Sequence, residues 1–249
     1  TSELRSLRGK FVDVLQNKGD MAEVRTEAQR LLALSEAGEK LAPNSSLIVW
    51  ESSPWTYFDP VASIPPTDKV DAKLQTALCQ EEYESLALNL TNVSGETITV
   101  RARVDGGANS HEADFSQHVQ LAESLLIPTE RREMVSDALV PLNDAGTVVI
   151  PKYQSAQLWL TVHSKGLSPG KYEGRLVLKV LGIESDVTTV PIDLVVYPLT
   201  LPRPRPLRVC VWTTGTGGKM TADNDAVLTD LVEHGVTVFF PASPKGKWG

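Results

Sequence analysis

Cysteine is almost absent from this 249-residue sequence, which has only Cys79 and Cys210. Two thiols so far apart do not make a disulfide framework, so a small cysteine-stapled fold is excluded. Each sits in an apolar, strand-like run and reads as a small hydrophobe. Long apolar stretches are also missing: no run approaches the ~20 residues a membrane-spanning helix needs, and no membrane span is expected. Basic charge is not in excess. There are 24 Lys and Arg against 31 Asp and Glu, a net charge of −7, and the basic residues are scattered, with Arg203 and Arg205 in a proline-rich stretch. Phosphate backbones need clustered cations, so nucleic acid is not an expected partner.

Metal and cofactor motifs are lacking too. The four histidines, His111, His118, His163 and His234, have no metal-pair spacing and no neighbouring cysteine. Gly215–Lys219 reads GTGGK between a strand and a helix, where phosphate-binding loops occur. Thr213 and Met220 stand where a Walker loop needs Gly and Ser or Thr, and Met220 also replaces the third glycine of a dinucleotide fingerprint. No cofactor, metal ligand or catalytic residue is therefore assigned. Glu82 and Glu84 could share a strand face ~7 Å apart. They fall where one strand ends and another begins, a place where charges usually face solvent. The sequons at Asn44, Asn89 and Asn92 are short matches with no weight of their own.

What is present is a run of short strands. Leu4, Leu7, Phe11, Val14 and Leu15 recur at helical spacing, then Gly19 stops that helix. Asp20–Glu23 reads as a capping box that opens a second helix, with Val24, Ala28, Leu31 and Leu32 on one face and an end near Gly38. From Ser46 the period becomes two. SLIVWES, LQTALCQEEYESLALNLTN, ETITVRARVD, HVQLAESLLIP, SDALVPL, TVVIP, SAQLWLTVHS, YEGRLVLKVLG and TTVPIDLVVYP give nine or ten short strands split by Gly, Pro, Asn and Ser turns. That pattern predicts an antiparallel β-sandwich of jelly-roll or immunoglobulin-like type.

After the prolines at 198, 202, 204 and 206 the pattern changes again. LRVCVW and VTVFFPA are continuous apolar strands flanking one helical stretch, a strand–helix–strand step that predicts a parallel pair. One such unit is not a domain and reads as the start of a larger α/β fold. The expected organisation is a helical hairpin over 1–42, a sandwich over 43–201, and a linker plus truncated barrel start over 202–249.

Trp50 and Trp159 fall inside strand patterns and read as core, whereas Trp55 and Tyr57 fall in a proline-rich loop. Exposed aromatics can stack on sugar rings, which makes Trp55 and Tyr57 the candidate carbohydrate contacts of the β region.

Four segments carry a family resemblance: VWESSPWTYFDP, CQEEYESLALNLTNVSGETITVRARV, LWLTVHSKGLSPGKYEGRLVLKV and TTVPIDLVVYPLTLP. Over residues 46 to about 213 they resemble glycoside hydrolase family 123 and related proteins of unknown function. The resemblance implies a β-sandwich ahead of a (β/α)₈ barrel that performs hydrolysis with an adjacent Asp-Glu pair. No Asp-Glu step occurs in this sequence, so no catalytic residue carries over, and this chain by itself is expected to be inactive. The resemblance also implies an extracytoplasmic or secreted protein whose partner is the rest of its own barrel. Barrel chemistry gathers at the C-terminal strand ends, which adds Trp212 to the candidate carbohydrate contacts. The implied role is a non-catalytic scaffold; the alternatives are a carbohydrate-binding module and a protein-interaction sandwich.

Overall fold

The computed structural model describes residues 21–66, 72–106, 114–130, 134–200, 208–213, 229, 231–233 and 235–241. The chain divides into two compact units, Thr1–Leu199 and Thr200–Gly249.

The first unit is an antiparallel β-sandwich preceded by a helix. Helix α1 runs Met21–Leu41. The strands are β1 Leu47–Ser52, β2 Leu74–Gln80, β3 Tyr83–Asn92, β4 Ile98–Asp105, β5 Val119–Pro128, β6 Met134–Pro141, β7 Thr147–Ile150, β8 Ser155–His163, β9 Gly170–Val180 and β10 Val187–Thr200. They form two five-stranded sheets, ordered β1-β3-β8-β5-β6 and β2-β10-β9-β4-β7, called sheets A and B below.

Strict alternation builds the core. Ile98, Val100 and Ala102 of β4 point inward, as do Leu176, Leu178 and Val180 of β9 and Leu158, Leu160 and Val162 of β8. Successive side chains of a strand point to opposite faces, so these residues form a continuous apolar layer between the sheets. Phe115, on a 3-10 turn just before β5, closes one end edge-on to Tyr172. Gly174 of β9 lies under it: a Cβ there would come within 2.6 Å of both the Asp105 carbonyl and the Phe115 ring. The close approach leaves room only for glycine.

The run LQTALCQEEYESLALNLTN is two strands in two different sheets. Glu81 turns the corner with φ 61°, a left-handed conformation that lets the chain leave sheet B and enter sheet A. Glu82 Oε2 accepts the Cys79 N–H at 2.6 Å, and Ser164 Oγ donates to the Cys79 carbonyl at 2.7 Å while accepting the Glu82 N–H at 2.9 Å. Glu84 Oε2 accepts the Ser85 N–H. The two carboxylates therefore each hold a separate backbone N–H group. The Cys79 thiol is pushed up from its ordinary pKa by burial, and the nearby Glu82 carboxylate adds to the shift. Both cysteines are unbridged; Cys79 is partly buried and Cys210 exposed.

Helix α1 departs from the expected face and end. Leu34 and Ala37 are its buried residues, and Leu32 is 62% exposed. The inward stripe runs through Val24, Glu27, Leu31, Leu34, Ala37 and Leu41, so the apolar residues Ala28 and Leu32 fall on the outer side. Gly38 does not stop the helix, which continues to Leu41. A Cβ there would sit 3.4 Å from the Val93 side chain, so the glycine marks a close approach to the sandwich. The expected first helix over residues 3–18 and the Asp20 cap lie outside the described residues.

The second unit contains strands β11 Val209–Thr213 and β12 Val236–Pro241, paired in parallel. Residues 229 and 231–233 between them are helical. Val209 and Val238 are over a third exposed, as expected of a strand pair with no third layer among the described residues. The GTGGK loop, His111 and His234 lie outside the described residues. No helix of the described residues is long and apolar enough to cross a membrane.

Candidate functional site

Sheet A has an outer face unlike its inner one. Pairing of β3 with β8 and of β8 with β5 sets the register Ala87↔Trp159↔Ala122, with Ser85↔Thr161↔Gln120 above and Asn89↔Gln157↔Ser124 below. Trp159 thus has an alanine on each flank and hydrogen-bonding side chains in the rows before and after. One row further on, Tyr83 stacks on His163 at 4.1 Å between ring centroids. None of the nine grid residues carries a charge, although 22% of the chain is charged.

The lower part of this face is buried and polar. Trp50 Nε1 donates to Thr91 Oγ1 at 2.9 Å, and Thr91 and Ser155 share a 2.8 Å hydroxyl pair. Gln157 Nε2 donates to Asn89 Oδ1 at 3.2 Å. No buried side-chain nitrogen or oxygen among the described residues lacks a partner, so this polar layer avoids the penalty of unpaired buried groups.

Two elements cover that part. The C-terminal half of α1 packs Ala37 and Leu41 against Ile48 and Trp50. The loop after β1 covers the rest. It is fixed by the buried Phe58, by the Ser155 N–H donated to the Pro60 carbonyl at 2.8 Å, and by Asp59 Oδ1, which accepts the Val61 and Ala62 N–H groups. Arg30 of α1 clips the loop's far side. Its guanidinium donates to the Tyr153 carbonyl at 2.6 Å and to the Val61 carbonyl at 3.4 Å, and is paired with Glu27 at 2.8 Å. Tyr153 has φ 56°, which belongs to the turn that presents its carbonyl to Arg30.

The same loop presents the predicted aromatics. Trp55 is 81% exposed and stands edge-on to Trp159, with centroids 5.8 Å apart and planes at 88°. Ser53 shapes the turn beneath it, accepting the Thr56 N–H at its carbonyl and the Trp55 N–H at its hydroxyl. Tyr57 is also exposed, and its hydroxyl donates to the Met134 carbonyl on β6. The structure therefore brings Trp55 together with Trp159, a residue that sequence reasoning assigned to the core. Trp159 lies on the outward parity of β8. The pattern AQLWLTV shows this phase, because Leu158 and Leu160 claim the inner face. Trp212 lies on β11, its backbone paired with Phe240; its side chain is outside the described residues. Ser85, Thr161 and Gln120 gave no sequence signal, since their meeting depends on strands far apart in the chain.

A groove of about 460 Å³ also opens beside the edge strand β1, between Leu47–Val49 and Thr188–Pro191 of β10. No group of three or more metal-ligating side chains occurs among the described residues. His118 ends the 3-10 turn and His163 stacks on Tyr83, so neither sits in a ligand set.

No protein-family model matches the sequence, and no curated protein matches it. Among solved structures, the chain is similar to a family 123 glycoside hydrolase from Clostridium perfringens described for glycolipid glycan hydrolysis, with TM-score 0.55 and 12% identity over 78% of this chain and 37% of that one. At that identity the likeness is one of fold. The chain spans little more than a third of that hydrolase. A PapD-like domain of human CEP192 is similar at TM-score 0.32 and 8% identity, over 63% of this chain and 87% of that one. The periplasmic chaperone SfaE is similar at TM-score 0.32 and 10% identity, over 57% and 64%. These two scores are too low to carry an argument.

Proposed function

We propose that this chain is a non-catalytic N-terminal module of a glycoside-hydrolase-like protein, a sandwich that supports a barrel begun by β11 and β12. The observation that carries this reading is the fold likeness to part of a family 123 glycoside hydrolase. The parallel β11–β12 pair after the sandwich supports it, because a parallel pair needs a crossover and is the repeating step of a barrel. The absence of an Asp-Glu step from the sequence agrees with a module that performs no hydrolysis.

The test is the natural reading frame together with activity. The frame is expected to continue past Gly249 through further strand–helix repeats. The longer protein should hydrolyse glycolipid glycans, while residues 1–249 alone should not. A natural stop near Gly249, or turnover by residues 1–249, would overturn the proposal.

A further inference from the structure

We infer that the outer face of sheet A binds a neutral oligosaccharide, with Trp55 and Trp159 as the stacking platform and Ser85, Thr161 and Gln120 as the row that reads its hydroxyls. The inference stands apart from the scaffold reading, since it concerns binding by the sandwich alone.

The first argument is the exposure of Trp55. An indole is a large apolar surface that packing normally buries, yet Trp55 is 81% exposed and held upright by Trp159 and the Ser53 turn. The loop that carries it is tied down by Phe58, Asp59 and Arg30. The ring is therefore presented by an anchored loop, and a presented aromatic loses little entropy when a ligand stacks on it.

The second argument is chemical. Charged, basic and acidic side chains are all missing from the grid around Trp159. A phosphate, a nucleic acid or a charged peptide would find no counter-charge there. The uncovered row offers two hydroxyls and one amide, groups that both donate and accept. Pyranose rings match this pairing, because their C–H faces stack on aromatics and their rims carry hydroxyls.

The third argument is spacing. Trp159 and the Tyr83–His163 stack lie four residues apart on β8, about 13 Å at strand rise, with the Ser85–Thr161–Gln120 row midway. That reach suits a short oligosaccharide and exceeds a single ring. Ala87 and Ala122 beside Trp159 are themselves buried, so a chain approaches over the exposed Trp55 ring and the Ser85–Thr161–Gln120 row beyond.

The test is a calorimetric titration of residues 1–249 with the β-1,4-linked trisaccharides of glucose, mannose and N-acetylglucosamine, each to about 10 mM, well above the millimolar Kd of a weak site. At least one is expected to bind and to perturb tryptophan fluorescence. Trp55→Ala should weaken that binding roughly tenfold or more with an unchanged melting temperature, because its side chain is mostly solvated. Gln120→Ala should weaken it less, and Thr161→Lys should block it by intruding on the row. Val149→Ala, on an exposed position of sheet B, should leave it unchanged. Three results would each overturn the inference: no binding by any of the three sugars, binding indifferent to both Trp55→Ala and Thr161→Lys, or self-association through this face.

Discussion

The two faces of sheet A use the same strands and the same backbone, yet alternate residues follow different rules. On β8 the inner set is Ala156, Leu158, Leu160 and Val162, all buried in the core. The outer set is Ser155, Gln157, Trp159, Thr161 and His163, of which Ser155 and Gln157 make hydrogen bonds and Trp159 and His163 make ring contacts. Non-directional burial explains the first set, and directed polar and aromatic contacts explain the second. The difference teaches that core packing and the inferred sugar contacts are interleaved one residue apart, so neighbouring substitutions should separate them.

The largest effect is expected inside. Leu158→Ala, at a fully buried position, should cost about 3 kcal/mol through lost burial and the cavity left behind, read as a lower denaturant midpoint. Gly174→Ala should be nearly as harmful: its Cβ would meet the Asp105 carbonyl and the Phe115 ring at 2.6 Å, and overpacking of that kind costs about 1–3 kcal/mol.

Intermediate effects belong to side chains that tie down backbone carbonyls. Asn92 donates to the Glu96, Ile150 and Pro151 carbonyls and accepts from Ser94, so Asn92→Ala should cost about 2 kcal/mol by orphaning buried groups. Arg30→Ala should cost about 1–2 kcal/mol, since it removes charge-assisted bonds to two carbonyls. Hydrogen exchange in residues 53–66 should rise in that variant while the core strands stay protected.

The smallest effect is electrostatic. Burial raises the Glu123 carboxyl above its ordinary pKa. The folded state then holds that proton more tightly than the unfolded state, so Glu123 favours folding while protonated and disfavours it once ionised. Its contribution therefore falls as pH rises from the ordinary carboxylate pKa through the raised one. Glu123→Gln should abolish that fall, and melts at acidic and neutral pH would show it. Asp193 has the opposite sign: hydrogen bonding from Lys73, chiefly, lowers its pKa. Its stabilisation is present above the ordinary carboxylate pKa and is lost as pH falls through the lowered one.

The sandwich was legible because its signal is local. Alternation in ITVRARVD and the closely spaced turn residues identify strands wherever one face is buried. The sheet change at Glu81 was not, since a left-handed corner carried by a non-glycine residue has no local signature. Gly38 misled for a related reason: a glycine needed for a close helix–strand approach looks like a helix stop. Trp55 and Tyr57 were readable as loop aromatics, but the grid that gives Trp55 its setting joins β3, β5 and β8. Only pairing reveals it.

The most direct measurement compares two adjacent residues on opposite faces. Leu158→Ala and Trp159→Leu would each be assayed for denaturant midpoint and for trisaccharide affinity per folded molecule. Leu158→Ala should lower the midpoint strongly and leave affinity intact, and Trp159→Leu should change the midpoint little and remove binding. If both properties fall together in both variants, or if Trp159→Leu binds as well as the parent, the separation of the two faces is contradicted.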